Sequence, residues 1–429
     1  MFVALLAGAL AVRLGWVAAT PHFVPAHDAH DFDRYGVSIA RFGRLPVGHQ
    51  AGDHGPLAYR PPGYPFFLAA IYKVFGLVHR VYAVRVVQAF TGTAAVALVA
   101  AIGWILWGPI VGLVATAIAA VYPPLVYVGE SMYSETVFLP VILGSVVAAL
   151  MFRRSRGELR WAVAAGVLCG VGVLVRPNAA ALAPGLLLLV WGVRTPRLST
   201  RSLAPPAVAL VCMALVIAPW TIRNALVLHQ FVPVTTELGN TMAGTYNDEA
   251  RLSPDRPAAW TEPRLTSEYG HYYRERGVND ATLDQTLRAA AFRYIGKHPT
   301  YLWEVWRWNT ARLFDLAGFA ESHIGGATIG ISRGASDIGA VSFWALGLLA
   351  VGGLFTRGLR RAPLALWMLP VLWYLSVVFL NAEAPRFRVG IDPFLILLAA
   401  LAACAVASPV AERVRAQFRW RQEDAVPGR

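Results

Sequence analysis

The chain has 429 residues, of which 56% are hydrophobic and only 15% charged. A soluble globular chain carries about 25% charged residues, so this composition excludes an ordinary water-soluble domain. The formal net charge of +13 does not call for nucleic acid either, because the arginines gather in short segments beside apolar blocks.

Blocks 111–121, 137–151, 182–193, 208–219 and 395–407 contain no charged residue. A helix needs roughly 20 apolar residues to span a hydrocarbon core of about 30 Å. Only helices and closed barrels satisfy the backbone there, and these blocks lack the alternation of barrel strands. Spanning helices are expected at 2–19, 84–107, 109–126, 133–152, 161–175, 178–193, 203–220, 340–356, 364–381 and 390–408. Residues 1–19 have no basic stretch before their apolar run and read as the first span rather than a cleaved signal.

Ten crossings place both ends on one side. With Met1 in the cytoplasm, the clusters Arg153, Arg154, Arg156 and Arg160; Arg194, Arg197 and Arg201; Arg357, Arg360 and Arg361; and Arg413, Arg415, Arg419 and Arg421 all fall there too. That is the positive-inside pattern, with contact to anionic lipid as a further use. The apolar stretch 64–77 is too short to span. Counting it would invert the later clusters, so it reads as a juxtamembrane or half-inserted helix on the outer face.

Two segments remain outside, 20–80 and 221–339. In the second, 280–297 and 300–316 read as amphipathic helices, with Thr282 after Asp280 supporting a cap and Pro299 opening the second. Cys169, Cys212 and Cys404 lie in apolar spans without metal-ligand spacing and read as small packing residues. The expected fold class is an all-α multi-pass membrane protein of about ten spans (roughly nine to thirteen), with juxtamembrane helices and a large outer loop. It divides into a module at 1–220, an outer region at 221–339, and C-terminal helices with a basic cytoplasmic tail at 340–429.

The first outer segment carries the densest chemistry. His27, Asp28, His30, Asp31 and Asp33 follow closely on the first span, and Tyr59-Arg60-Pro61-Pro62-Gly63-Tyr64-Pro65 comes next. Acidic side chains so near hydrocarbon are costly without a partner or a task. The bland alternative is a solvated loop, capped by Asp before a helix at 32–42, with the prolines and Gly63 as a rigid turn. His27, His30, His49 and His54, with Asp28, Asp31 or Glu135, have the donor types for a divalent ion, although their spacing is not diagnostic. Trp303, Trp306 and Trp308 suit sugar stacking or, more commonly, interfacial anchoring.

The run Asp28-x-x-Asp31-Phe32-Asp33-Arg34, a small-residue helix and Arg60-Pro61-Pro62-Gly63-Tyr64-Pro65 resemble the bacterial branch of the GT-C membrane glycosyltransferases. That branch is related to the dolichyl-phosphate-mannose protein mannosyltransferases, glycosyltransferase family 39. Tyr122-Pro123-Pro124 before Ser134-Glu135, Arg176-Pro177-Asn178, Ala218-Pro219-Trp220-Thr221-Ile222-Arg223-Asn224, His298-Pro299 and Pro385-Arg386-Phe387-Arg388 are similar to later landmarks in the same order. The resemblance implies a GT-C-like bundle in the bacterial plasma membrane. It implies a polyprenyl-phosphate-linked sugar donor, and inverting transfer to an acceptor hydroxyl on the outer face. The acceptor (protein, glycolipid or cell-wall glycan) stays open, and no nucleic acid is implied.

That chemistry sets the residue types. The attacking hydroxyl must lose a proton to a carboxylate held beside it. The leaving lipid phosphate ionises near pH 6 and departs without the second carboxyl a glycosidase requires. Arginine suits the developing dianion. Asp28 matches the family's first-loop acid and is the expected base. Asp31 aligns almost as well after a shift of three residues, and Asp33 is expected to pair with Arg34 or lie exposed. Arg60 is the first expected phosphate ligand, then Arg176, whose alternative is snorkelling to the interface, then Arg223 and Arg386. Glu135, Tyr59, Tyr64 and Asn178 are expected to support them. The rival classes are a multi-pass transporter or flippase, which would show internal repeats and mid-membrane polar groups, and a non-catalytic scaffold. Arg13 is the main charge expected inside a span.

Overall fold

The structure, a computed structural model, describes residues 1–47, 57–191, 199–275, 277–383 and 385–423, with side chains described through Ala407. Among the described residues it is helical throughout. The helices are α1 (Phe2–Ala19), α2 (His27–Phe42), α3 (Gly63–Phe75), α4 (Arg80–Trp107), α5 (Pro109–Val121), α6 (Pro123–Gly129), α7 (Glu135–Arg154), α8 (Leu159–Val175), α9 (Ala183–Val190) and α10 (Thr200–Leu228). They continue as α11 (Leu238–Thr245), α12 (Asp248–Arg251), α13 (Asp280–Lys297), α14 (Tyr301–Leu313), α15 (Phe319–Thr328), α16 (Arg333–Leu354), α17 (Leu364–Val378) and α18 (Asp392–Glu423).

Helix or helical turn occupies each of the ten stretches expected to span. By length and composition α1, α4, α7, α10 and α16 can each cross a membrane unaided, and α5 with α6 forms a sixth candidate if one bent pair is one span. In α10 only 11% of the most apolar window is buried, against 67% in α7. Exposed Leu210, Val211, Leu215, Ile222 and Leu226 therefore turn α10 toward hydrocarbon, while α7 lies at the centre.

Several expected spans depart from plan, and proline explains two of the departures. The expected helix 109–126 breaks by 59° at Tyr122, whose ψ of 111° is the extended conformation that a following proline imposes. Pro124 has no N–H to bond the carbonyl of Ala120. The Arg13 guanidinium donates to that carbonyl at 3.2 Å and to Ala9 at 3.0 Å. The main charge expected inside a span thus repairs a helix break.

Residues 178–193 likewise begin as a 3-10 turn, Pro177–Leu182, because Arg176 before Pro177 is extended (φ −151°, ψ 110°). A third departure is α10, which runs eight residues past the expected end and closes at His229 in the left-handed region (φ 55°). Its start is fixed by a Ser199–Ser202 capping box.

Helix α4 packs on α1, α5 and α7, and α7 packs on α8, α8 on α10, and α16 on α18. The α8–α10 contact depends on small residues. A Cβ on Gly166 would stand 2.1 Å from the Ala209 carbonyl oxygen, and one on Gly170 would stand 2.9 Å from that of Met213. This Gly166-x-x-x-Gly170 face lets the two backbones touch.

At one end of the bundle lie α2, α3 and α11–α15. Stretch 64–77 is the short helix α3, packed on α2. Stretch 280–297 is α13, capped by the Asn279 side chain accepting from the Thr282 N–H rather than by Thr282. Helix α14 starts at Tyr301, two residues beyond Pro299. Trp303 and Trp306 stack at 4.5 Å on its surface. Cys169, Cys212 and Cys404 are free thiols.

Gly166→Val should therefore lower stability in detergent by about 1–3 kcal/mol. Gly8→Ala, where a Cβ meets nothing within 4 Å, should not. Equal thermal unfolding of the two variants would contradict the packing described.

Candidate functional site

Asp28 lies in the first turn of α2, not in a loop ahead of a helix at 32–42. That turn leaves Ala29, Asp31, Phe32 and Asp33 buried. Gly36 lets α2 close on α3, since a Cβ there would meet Leu68 and Tyr72 at under 3 Å. Asp33 is neither exposed nor paired with Arg34. Arg80 grips both its oxygens at 2.8–3.2 Å, and the Tyr72 hydroxyl donates to it at 2.6 Å. Arg34 pairs with Asp31 instead, at 3.2 Å.

The Arg60-Pro61-Pro62-Gly63 turn brings Arg60 to this acidic helix. A Cβ on Gly63 would fall 2.7 Å from Val175 and 3.0 Å from the Leu174 carbonyl. Only glycine allows the start of α3 to abut the end of α8, where Arg176 stands. Arg176 is held out of helix by Pro177, and Arg386 sits on the 3-10 turn Arg386–Arg388 between α17 and α18. Glu135 opens α7 with 0% exposure.

These side chains form a chain of alternating charge. Arg60 donates from Nε to Asp31 at 2.9 Å, from one terminal nitrogen to Asp28 at 2.6 Å and from the other to Glu237 at 2.6 Å. Arg386 joins the second oxygen of Asp28 at 2.6 Å to Glu135 at 2.7 Å, and Arg176 also pairs with Glu135. The order is Glu237, Arg60, Asp28, Arg386, Glu135, Arg176.

Aromatic faces lie beside the guanidinium groups: Tyr59 and Phe32 at Arg60, Tyr133 and Phe387 at Arg386, and Trp373 and Phe387 at Arg176. Such faces favour cations.

Burial alone would raise the Asp28 carboxyl. The charges and hydrogen bonds of Arg60 and Arg386 outweigh it and hold Asp28 below the usual carboxylate range. Burial pushes Glu237 the other way, upward, and Arg60 offsets only part of that. Two cavity-wall carboxyls are thus driven apart by their partners.

A cavity of about 820 Å³ opens on this chain. Its lining includes an apolar set, Val173, Ala180, Ile217, Val377 and Leu380, and a polar set, Asn240, Trp260, Asp284 and Arg288. Asp28, Tyr59, Arg60, Arg176, Asn178, Glu237 and Arg386 also line it. Asn178 also donates to the Ser376 carbonyl of α17 at 3.1 Å.

Other expected site residues lie off the cavity. Asp31 sits behind Arg60, and Glu135 behind Arg176 and Arg386. The Tyr64 hydroxyl accepts from Gln88 at 2.9 Å inside the bundle. Arg223 is turned away by the longer α10 and braces the Leu57 carbonyl at 2.8 Å. His27 and His30 are exposed, Glu135 is taken by arginine, and His49 and His54 fall outside the described residues. No three His, Cys, Asp or Glu side chains come together to hold an ion among the described residues.

Glu237, Asn240, Trp260, Asp284 and Arg288 were not anticipated. The available signal for Glu237 was its isolation, as the one charged residue between Arg223 and Asp248.

Residues 59–222 match the family model of dolichyl-phosphate-mannose-protein mannosyltransferases, a stretch that contains Arg60, Glu135 and Arg176. No curated protein matches the sequence. The fold is similar to the oligosaccharyltransferase AglB of Archaeoglobus fulgidus in complex with an inhibitory peptide and a dolichol-phosphate. There the TM-score is 0.55 and the identity 12%, over 100% of this chain and 52% of that one.

The same archaeal enzyme tethered to an acceptor peptide gives 0.53 and 12%, over 94% and 49%. ArnT of Cupriavidus metallidurans bound to undecaprenyl phosphate gives 0.48 and 16%, over 94% and 77%. The chain spans about half the length of the archaeal enzyme. The family match over residues 59–222 and the fold likeness to the archaeal enzyme agree with the resemblance to GT-C glycosyltransferases read from the sequence.

Removing one member of a buried ion pair leaves its partner uncompensated. Arg386→Gln should therefore cost about 3–5 kcal/mol. Adding Glu135→Gln should restore part of that loss. A double-mutant cycle from unfolding in detergent that shows strict additivity would contradict the coupling drawn here.

Proposed function

We propose that this chain is a membrane glycosyltransferase that moves a sugar from a polyprenyl-phosphate donor to an acceptor hydroxyl with inversion. The observation that carries the reading is the cavity itself. It sets Arg60, Arg176 and Arg386, together with Asp28, beside apolar residues of α8, α10 and α17, as a ligand with a phosphate head and a prenyl tail requires. The family match and the dolichol-phosphate in the archaeal neighbour's complex support the same donor class.

In this reading the prenyl chain lies along Val173, Ile217 and Val377, and the phosphate lies against Arg60, Arg176 and Arg386. The acceptor comes from the side of Asn240 and Trp260. Its oxygen attacks the anomeric carbon from the face opposite the phosphate, the bond from that carbon to the phosphate oxygen breaks, and Asp28 takes the hydroxyl proton. Asp28 is a weak base because two guanidinium groups hold it. It is therefore always ionised, and a proton shed late in bond formation needs only an oriented acceptor. The arginines receive the charge that grows on the leaving phosphate. Glu135 holds two of them in place from behind.

The open end of the cavity is assigned to the outer face, on the side opposite Arg153, Arg154 and Arg160 at the far ends of α7 and α8. A transporter would need polar groups at mid-bilayer, whereas Arg13 there serves backbone carbonyls.

Purified protein given labelled polyprenyl-phosphate sugars and a cell-envelope extract should transfer label. Asp28→Asn should reduce transfer by about 100-fold or more while undecaprenyl phosphate still binds. Equal transfer by both proteins would remove Asp28 from this role.

A further inference from the structure

The carboxylates on the arginine chain are not held equally. Asp28 is shared by Arg60 and Arg386, Asp31 by Arg60 and Arg34, and Glu135 by Arg176 and Arg386. Glu237 touches one guanidinium, that of Arg60, through one oxygen. No described residue donates to its other oxygen. Its side chain is 28% exposed, like that of Asp28 at 29%, whereas those of Asp31 and Glu135 are 10% and 0%, so the number of bonds rather than exposure sets it apart.

The backbone under Glu237 is nevertheless fixed. The Thr236 N–H donates to the Ala58 carbonyl at 3.0 Å, the Thr235 hydroxyl donates to the Tyr59 carbonyl, and Asn240 donates to the Tyr59 hydroxyl at 3.1 Å. A rigid strap therefore presents a loosely held carboxylate to one terminal nitrogen of Arg60.

We propose that Glu237 is a placeholder anion, which the phosphate of the polyprenyl donor displaces from Arg60 when it enters the cavity. This rests on the donor assignment made above. A phosphate reaching Arg60 must compete with the carboxylates already there, and Glu237 has the fewest bonds to lose. Once released, its carboxylate swings on a pinned backbone toward the wall of Asn240, Trp260, Asp284 and Arg288, where the acceptor is placed. Donor binding then precedes acceptor binding, because the carboxylate on the acceptor side is freed only after the phosphate arrives.

Burial already disfavours the charge of Glu237, which eases the exchange. The charged and titratable groups around it are Arg60 in contact, and Asp28, Arg386, Arg176 and Tyr59 nearby. Asp284 and Arg288 lie on the shared cavity wall. Burial holds the Glu237 carboxyl above its ordinary range, so its charge, and with it the grip on Arg60, weakens earlier on acidification than that of an ordinary carboxylate. Competition with phosphate is strongest at high pH and fades toward acid.

The test is the equilibrium binding of undecaprenyl phosphate to wild type, Glu237→Gln and Glu237→Ala in detergent between pH 5 and 8. Both variants should bind about tenfold tighter than wild type at pH 8, since each removes a like charge from the phosphate site. The advantage should narrow as pH falls. The lipid phosphate also loses charge near pH 6, which weakens its repulsion by Glu237 and narrows the gap in the same direction. Equal affinity at every pH, or weaker binding by both variants, would overturn the placeholder role and leave the donor assignment standing. Absence of binding by all three proteins would overturn the donor assignment, and this inference with it.

Discussion

Charge that lies out of bulk water has to be paired, and that constraint organises one end of this molecule. Six charged side chains from six separate stretches of chain, at positions 28, 60, 135, 176, 237 and 386, alternate in sign around one cavity. An unpaired ion in such surroundings costs several kcal/mol even after relaxation. Each contact therefore tells a distant segment where to stop. Arg60 sets the approach of the Pro-Pro-Gly turn to α2, Arg386 ties the α17–α18 connection to α2 and α7, and Arg176 ties the end of α8 to the start of α7.

The same pairing suits the phosphate of the proposed donor. Arginines held in place by carboxylates need little reorganisation when an anion arrives, which is the condition for strong electrostatic stabilisation of developing charge. The cost is competition, since each guanidinium already pairs with a carboxylate. The network resolves this by inequality. Two-armed carboxylates keep the arginines oriented, and a one-armed carboxylate yields. Structure and proposed chemistry thus draw on the same bonds.

Much of this end of the molecule could be read from sequence, because proline marks it. Arg60 and Arg176 each precede proline and Arg386 follows one, so each stands where a helix cannot continue and its side chain is left at a helix end. Glu135 begins an apolar helix and had to find a cation. The α5–α6 break was written in Tyr122-Pro123-Pro124, yet hydropathy alone carried a span straight through it.

Arg223 obeyed the same rule of an arginine at a span end, and the rule failed there. Helix α10 continues to Leu228, which rotates Arg223 onto the Leu57 carbonyl. The meeting of Glu237 with Arg60 spans 177 positions and has no local signature. It depends on a strap at 235–240 lying beside residues 58–60, a tertiary fact that neither periodicity nor composition encodes. The partner of Asp33 was hidden for the same reason, since Arg80 reaches it across the α2–α3 hairpin while Arg34 is merely adjacent in sequence.

The central claim is spatial, so a structure tests it most directly. The protein would be imaged by electron cryomicroscopy in lipid nanodiscs with a saturating polyprenyl phosphate. The account predicts phosphate density within hydrogen-bond reach of Arg60, Arg176 and Arg386, and prenyl density running out between α8, α10 and α17. Phosphate held at the opposite end of the bundle, or a lipid tail that never enters this cavity, would contradict it.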